Sequence, residues 1–486
     1  MKRRTALTLL GGASALALLE GSGHLLRRVL RFSGPPDDWP PPPKRPGAVR
    51  ILCLGESSTY GIPFGPQLSW PAMLQFLLGK YSPGTHWDVV NAGASGADMA
   101  DICATLDKAG PCEADLAILM SGHNEFYRAF LDVEYLPGVR TDNGRLHMSR
   151  LLLPSTVSKL PRWITLLRSG SDDPAESLAA WYPAFLDFQR RLQTSSVVQR
   201  YVENMEGSIA KCRKLDCPLV AVTAPSNVLS WLPYVSDPVK AAQWAGLMRS
   251  TSAGTQSTAV DRDAEALQFY ASGIYGWDSG RFRDGLINLT TALGSDVNRI
   301  RATPEIRRST RETAEAAGQH CFDLAGRHLD SLENGELQPD IFLDHCHYTP
   351  AGAMWIARQI FGELIELGKP VSINRQDMNM GNEIEDYPEF LENSSLAANE
   401  LLEGFQAIAV IDRFYEQWPL VRRVCELALA SDPECSWARG TLAQLEREKP
   451  GFTSMGDLDP PIPYENIPAR FGPPEIPDRD SEPTAS

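Results

Sequence analysis

No CxxC pair and no Cys/His array at zinc spacing occurs in these 486 residues, so the nine cysteines outline no metal site. Cations are short as well. The 46 Lys+Arg against 61 Asp+Glu leave a net charge of -15, which argues against broad electrostatic attraction to nucleic acid or anionic lipid. Cys103 with Cys112, Cys212 with Cys217 and Cys425 with Cys435 are close enough in sequence to form disulfides in an oxidising compartment, or else are buried thiols. What is present is a globular composition, 43% hydrophobic and 22% charged, long enough for a full core and two or three domains.

Met1-Lys2-Arg3-Arg4 precedes the charge-free stretch Thr5 to Leu19, a basic region followed by an apolar one of signal-peptide length. The arginine pair resembles a twin-arginine signal. This apolar run is short against the roughly 20 residues that a spanning helix needs. No clean small-x-small cleavage site follows Leu19, and Arg27, Arg28 and Arg31 sit on an amphipathic stretch. Residues 1–32 are therefore expected to be an export signal or an uncleaved N-terminal membrane anchor. The prolines of Pro35 to Pro43 make 33–48 an extended spacer.

Beyond it, apolar runs with β-branched residues alternate with helical patterns. Strands are expected at Val49 to Leu54, Trp87 to Val90, Asp115 to Met120, Pro218 to Thr223 and Pro339 to Leu343. Helices are expected at Trp70 to Leu78, Ala97 to Asp107 and Ala351 to Leu367. This order defines parallel βαβ units in a domain over 49–370, interrupted by helical insertions at about 128–214, with apolar segments Leu151 to Leu153 and Trp181 to Leu192, and at about 227–335. Within the second insertion, Phe269, Gly273 and Gly280 to Leu293 resemble one tetratricopeptide repeat, and Val421 to Pro433 resembles a weaker second one. They are either repeat units that bind a protein partner or isolated helical hairpins docked on the sheet. The acidic stretch 371–395 is expected to be a linker, 396–448 a helical module, and the Pro/acidic tail 449–486 disordered.

Chemistry concentrates at two distant places. Gly55-Glu56-Ser57-Ser58-Thr59-Tyr60-Gly61 follows the first strand, and Asp344-His345-Cys346-His347 precedes the last helix. A serine hydroxyl needs a base and an exposing turn to become a nucleophile. Ser57 at the strand's carboxyl edge is the candidate and Ser58 the runner-up, the bland alternative being Ser58 or Thr59 as a helix N-cap. His347 is preferred to His345 as the base on its spacing from Asp344.

These blocks resemble those of the SGNH (GDSL-type) hydrolases. Gly55, Glu56, Ser57 and Thr59 match the first block, Gly93 of Asn91 to Gly96 the second, Gly122-His123-Asn124-Glu125 the third, and Asp344 with His347 the last. Glu56 and Glu125 stand where the pattern has Asp, and keep the negative charge. The resemblance implies a three-layer, flavodoxin-like parallel α/β sheet carrying helical insertions. It implies Ser57 as nucleophile, His347 as base and Asp344 as its orienting acid. The oxyanion hole would be the N–H groups of Ser57 and Gly93 with the Asn124 side chain, and neither cofactor nor metal is called for.

The expected activity is hydrolysis of an acyl ester by an exported, periplasmic or extracellular enzyme, on short acyl groups of a saccharide. The alternatives are a polysaccharide O-acyltransferase working through the same acyl-enzyme, or an interaction protein whose hydrolase-like domain turns over weakly or not at all.

Overall fold

The computed structural model describes residues 40–130, 185–233, 262–335, 341–368, 383–393, 398–414 and 417–448. The expected signal or anchor, Leu151 to Leu153 and the tail at 449–486 lie outside the described residues. Among those described, no helix is long and apolar enough to cross a membrane.

The chain opens with β1 (Ala48–Gly55), α1 (Ser57–Tyr60), α2 (Trp70–Tyr81), β2 (His86–Gly93), α3 (Met99–Leu106), β3 (Leu116–Ser121) and α4 (Glu125–Phe130). It continues with α5 (Thr194–Lys214), β4 (Leu219–Thr223), α6 (Arg262–Asp278), α7 (Phe282–Ser295), α8 (Pro304–Ala316), β5 (His320–Phe322), α9 (Leu324–Glu333) and α10 (Pro350–Leu367). Four further helices follow: α11 (Glu383–Asn393), α12 (Ala398–Phe414), α13 (Trp418–Ser431) and α14 (Ser436–Glu448).

The fold is α/β. Five parallel strands lie in the order β2-β1-β3-β4-β5. β3 and β4 are buried at every residue, as continuous apolar strands are when helices cover both faces. The right-handed crossover rule places α2 on one face, where it packs on α10, and α3, α5 and α8 on the other. β2 is added on one side of β1 and β3 on the other, so the order of the strands reverses there and the carboxyl ends of β1 and β3 flank the switch point where such sheets bind ligands.

Local chemistry explains the helix starts. Asp98 and Asp101 form a capping box on α3, and Thr303 and Thr349, each followed by proline, cap α8 and α10.

Three expectations are corrected. The fifth strand is His320–Phe322, not Pro339 to Leu343; the buried run Ile341 to Leu343 makes only an isolated antiparallel bridge, Phe342 with Tyr348. The expected insertions are smaller than 128–214 and 227–335, because α5 and α8 are crossover helices packed on each other and β5 itself lies in the second stretch. The acidic stretch 371–395 is not all linker. In α11, Asp386 accepts hydrogen bonds from Lys80 at 2.8 Å and Tyr81 at 2.9 Å and pairs with Arg358, so its charge docks the helix. Of the two readings open for the cysteines the structure takes the thiol one: all nine are free, including the three pairs close in sequence.

α6 and α7 form a hairpin whose backbones touch. A Cβ on Gly273 would lie 2.6 Å from Leu289 Cγ, and one on Gly276 would lie 3.0 Å from the Gly285 Cα. The small residues therefore serve close helix packing, and the hairpin rests on α8 and α9 of the sheet domain. In the C-terminal module, α12 packs on α13 and α13 on α14.

Candidate active site

Gly55 ends β1 where no side chain fits, since a Cβ there would lie 2.6 Å from the Met120 carbonyl oxygen of β3. The next residue, Glu56, is extended and becomes the N-cap of α1, and Ser57 is the first helical residue. The Ser57 hydroxyl is thus delivered to the carboxyl edge, beside the turn that leaves β3.

Across the crevice, the chain from Leu343 to Thr349 forms a tight turn. Leu343 N–H donates to the His347 carbonyl at 2.8 Å and Thr349 N–H to the Ile341 carbonyl at 2.9 Å. Inside the turn, Asp344 Oδ1 accepts from the Cys346 and His347 amides, each at 2.8 Å. His347 Nδ1 lies 2.6 Å from Asp344 Oδ2, and His347 Nε2 lies 2.8 Å from Ser57 Oγ. A carboxylate can only accept, so Nδ1 carries the proton and Nε2 is left to accept from the serine. Burial pushes the Asp344 carboxyl up, but His347 and the hydrogen bonds from it and from the Cys346 amide outweigh it and hold the group well below the usual carboxylate range.

The runner-up residues fall elsewhere. Ser58 Oγ is buried with no hydrogen-bond partner among the described residues. His345 packs behind the turn, its ring 5.0 Å from that of Trp231, and burial lowers its pKa to about 4, so it is neutral in the working range. Its carbonyl accepts from Asn227 N–H at 3.1 Å, and Asn227 Nδ2 donates to the Asp344 carbonyl at 2.8 Å. Asn227, which follows β4, therefore braces the turn. Nothing in its local sequence announces that role, because both partners lie on the far loop.

One candidate oxyanion donor is corrected. The Gly93 N–H already donates to Asn91 Oδ1 at 2.9 Å. Gly93 is needed for contact instead: a Cβ there would lie 2.3 Å from the Tyr60 nitrogen. Asn91 also donates to the Thr59 carbonyl at 3.0 Å and to Ser69 Oγ at 3.1 Å, fixing the end of α1. The second glycine of the same block, Gly96, has φ +69°, and its amide has no hydrogen-bond partner among the described residues. Asn124 Nδ2 spends one hydrogen on the Ala97 carbonyl at 2.9 Å, while its second contact, to Glu56 Oε2 at 3.4 Å, is long.

Glu56 and Glu125 do more than keep a charge. Glu56 Oε1 accepts from Gly122 N–H at 2.7 Å and Oε2 from His123 N–H at 3.0 Å, which locks the turn after β1 to the turn after β3. Burial raises Glu56 to about 8, against the pull of those amides. Glu125 accepts from Met99 N–H at 2.8 Å and is pushed well above its usual value by burial, with Asp98 and Glu56 adding to the effect. Both carboxyls thus hold protons far above the usual range. The negative charge expected from sequence is weakened by burial at both.

His123 Nδ1 accepts from Ala302 N–H at 3.0 Å, so its proton sits on Nε2; burial lowers its pKa to about 3. Asp344, His345, Cys346 and His347 each bring one metal-capable atom within 4.8 Å of the others, but the 2.6 and 2.8 Å contacts above already engage Asp344 and His347 with each other and with Ser57.

No family model and no curated protein matches the chain. Solved structures do. A catalytic mutant of Axe2, an acetylxylan esterase from Geobacillus stearothermophilus, matches at 14% identity and TM-score 0.32 over 66% of this chain and 96% of that one. The lipase/acylhydrolase from Enterococcus faecalis matches at 12% identity and TM-score 0.31 over 66% and 96%. A putative lipolytic protein of the G-D-S-L family from Desulfitobacterium hafniense DCB-2 matches at 11% and TM-score 0.29 over 65% and 98%.

Proposed function

We propose that this chain is a serine hydrolase acting on carboxylic esters. Its four sequence blocks and their placement at the strand ends support the SGNH type in particular. The observation that carries this is the unbroken relay from Asp344 Oδ2 through the His347 ring to Ser57 Oγ, at 2.6 and 2.8 Å, set at the switch point of the sheet.

In the proposed reaction, Ser57 Oγ attacks the acyl carbonyl carbon as its proton passes to His347 Nε2. Asp344 stabilises the imidazolium that forms. The negative charge that develops on the carbonyl oxygen meets the amides of Ser57 and Gly96 and the Asn124 side chain, whose long contact to Glu56 a stronger acceptor displaces. Such donors contribute about 3 kcal/mol each. Collapse breaks the bond to the alcohol oxygen, which leaves with the proton from Nε2. Water, deprotonated by the same nitrogen, then attacks the acyl-serine; the bond from the acyl carbon to Ser57 Oγ breaks, Nε2 returns its proton to Oγ, and the acid is released.

Ser57 and His347 are 6% and 7% exposed, a recess suited to a short acyl group. For the alcohol we propose a saccharide. The basic and apolar start of the chain supports export, as a secreted or N-terminally anchored protein, and O-acylated glycans lie in the compartments it would reach.

Purified protein is expected to hydrolyse aryl acetates, and Ser57→Ala to lower kcat by at least about 10⁴-fold. A wild-type protein without turnover, or a Ser57→Ala variant that keeps it, contradicts the proposal. Release of free acid, rather than an acylated sugar when an acceptor is added, separates hydrolysis from transfer.

A further inference from the structure

Helix α12 reaches both lips of the crevice. On one side, the Phe405 ring meets Phe64, on the loop leaving α1, edge-on at 5.3 Å, and Gly404 makes room because a Cβ there would lie 2.6 Å from Phe64 Cδ1. Just past its other end, Gln417 Oε1 accepts from Leu232 N–H at 3.0 Å and its Nε2 donates to the Leu232 carbonyl at 3.4 Å. Leu232 follows Trp231, which packs on His345, and belongs to the loop by which Asn227 braces the Asp344 turn. One helix therefore touches the nucleophile's loop and is tied to the loop that supports the base.

Asp412 lies between these two contacts, on the face that also buries Phe405, Ile408 and Ala409. It is 0% exposed, and neither carboxyl oxygen has a hydrogen-bond partner among the described residues. Asp344 is near enough for its charge to act on it. Other buried acids here are answered: Asp296 by Arg301, Asp386 by Lys80 and Arg358, Asp344 by His347. Its carbonyl accepts from Gln417 N–H at 2.8 Å, the residue that holds the Leu232 loop. Burying a carboxyl without a donor is unfavourable, and such a group is suited to a donor that a ligand brings.

We infer that α12 forms the alcohol-recognition wall of the active site, with Asp412 hydrogen-bonding a hydroxyl of the acylated saccharide. The inference rests on the esterase reading above and names the substrate group that the site selects. A binding site built around a substrate hydroxyl discriminates strongly against esters that lack one. An aryl acetate has no such group; a partially O-acetylated oligosaccharide has several.

The test compares wild type, Asp412→Asn and Asp412→Leu in the full chain on these two substrates, with Tm measured for each protein. The expected result is that kcat/KM for the oligosaccharide falls by at least about tenfold more than for the aryl acetate, chiefly through KM, while Tm holds or rises. Equal losses on both substrates, no loss on either, or a drop in Tm that accounts for the loss would overturn it. So would wild-type turnover of the aryl acetate with none of the oligosaccharide. Failure of the esterase reading looks different, since wild type then hydrolyses neither ester or Ser57→Ala hydrolyses both.

Discussion

The two ends of β1 bury polar groups in opposite ways. At its amino end Arg50 is 2% exposed and each of its guanidinium nitrogens is engaged, by Asp88 Oδ2 at 2.8 and 2.6 Å and by the Cys112 carbonyl at 2.8 Å. At its carboxyl end Glu56, Ser57, His123, Glu125 and Asp344 are as deeply buried, yet Glu56, His123, Glu125 and Asp344 have pKa values displaced from their ordinary range. One end uses charge to close the fold. At the other, burial displaces the titration of the groups around Ser57, which supports the proposed site.

The largest effect that separates the two ends is on rate. Asp344→Asn removes the acceptor that keeps the Nδ1 proton on His347, and should lower kcat by about 10⁴-fold with the substrate affinity little changed. A loss under tenfold in steady-state kinetics would place the machinery elsewhere. Arg50→Ala should do the reverse. Removing one partner of a fully buried pair costs about 3–5 kcal/mol, and here about 2–3 kcal/mol is expected because the Asp88 side chain stays 31% exposed. Denaturant unfolding measures that cost, and kcat of the folded fraction should stay within about twofold.

The smallest effect concerns pH. Glu56 has its folded pKa raised to about 8 from the ordinary value of 4.5, so between these values the unfolded chain releases a proton that the folded chain keeps. Stability from this group is complete below pH 4.5 and is lost as pH rises through 8. Its share of the slope reaches at most about 1.4 kcal/mol per pH unit. Glu56→Gln should start less stable, because its amide nitrogen faces the His123 N–H and cannot accept from it, and should show a flatter fall in stability over that window. An unchanged slope would mean that Glu56 titrates normally.

Much of the carboxyl edge is legible in the sequence. Strands β1 to β4 stand out as apolar runs, and Asp344 with His347 is a local pair whose spacing suits one turn. β5 is not, because His320-Cys321-Phe322 is three residues long and lacks an alternating pattern. Gly93 and Gly96 share one short block, and only the Asn91 side chain, folding back on the Gly93 amide, distinguishes them. The reach of α12 across the crevice depends on Phe64–Phe405 and Gln417–Leu232, contacts between segments far apart in the chain that no local periodicity encodes.

The most direct measurement is covalent labelling with a serine-directed phosphonate, followed by peptide mass spectrometry to locate the adduct. A single adduct on Ser57, lost or greatly slowed in His347→Ala, is the predicted result. An adduct on Ser58 or elsewhere, or an unlabelled wild-type protein, would contradict the account.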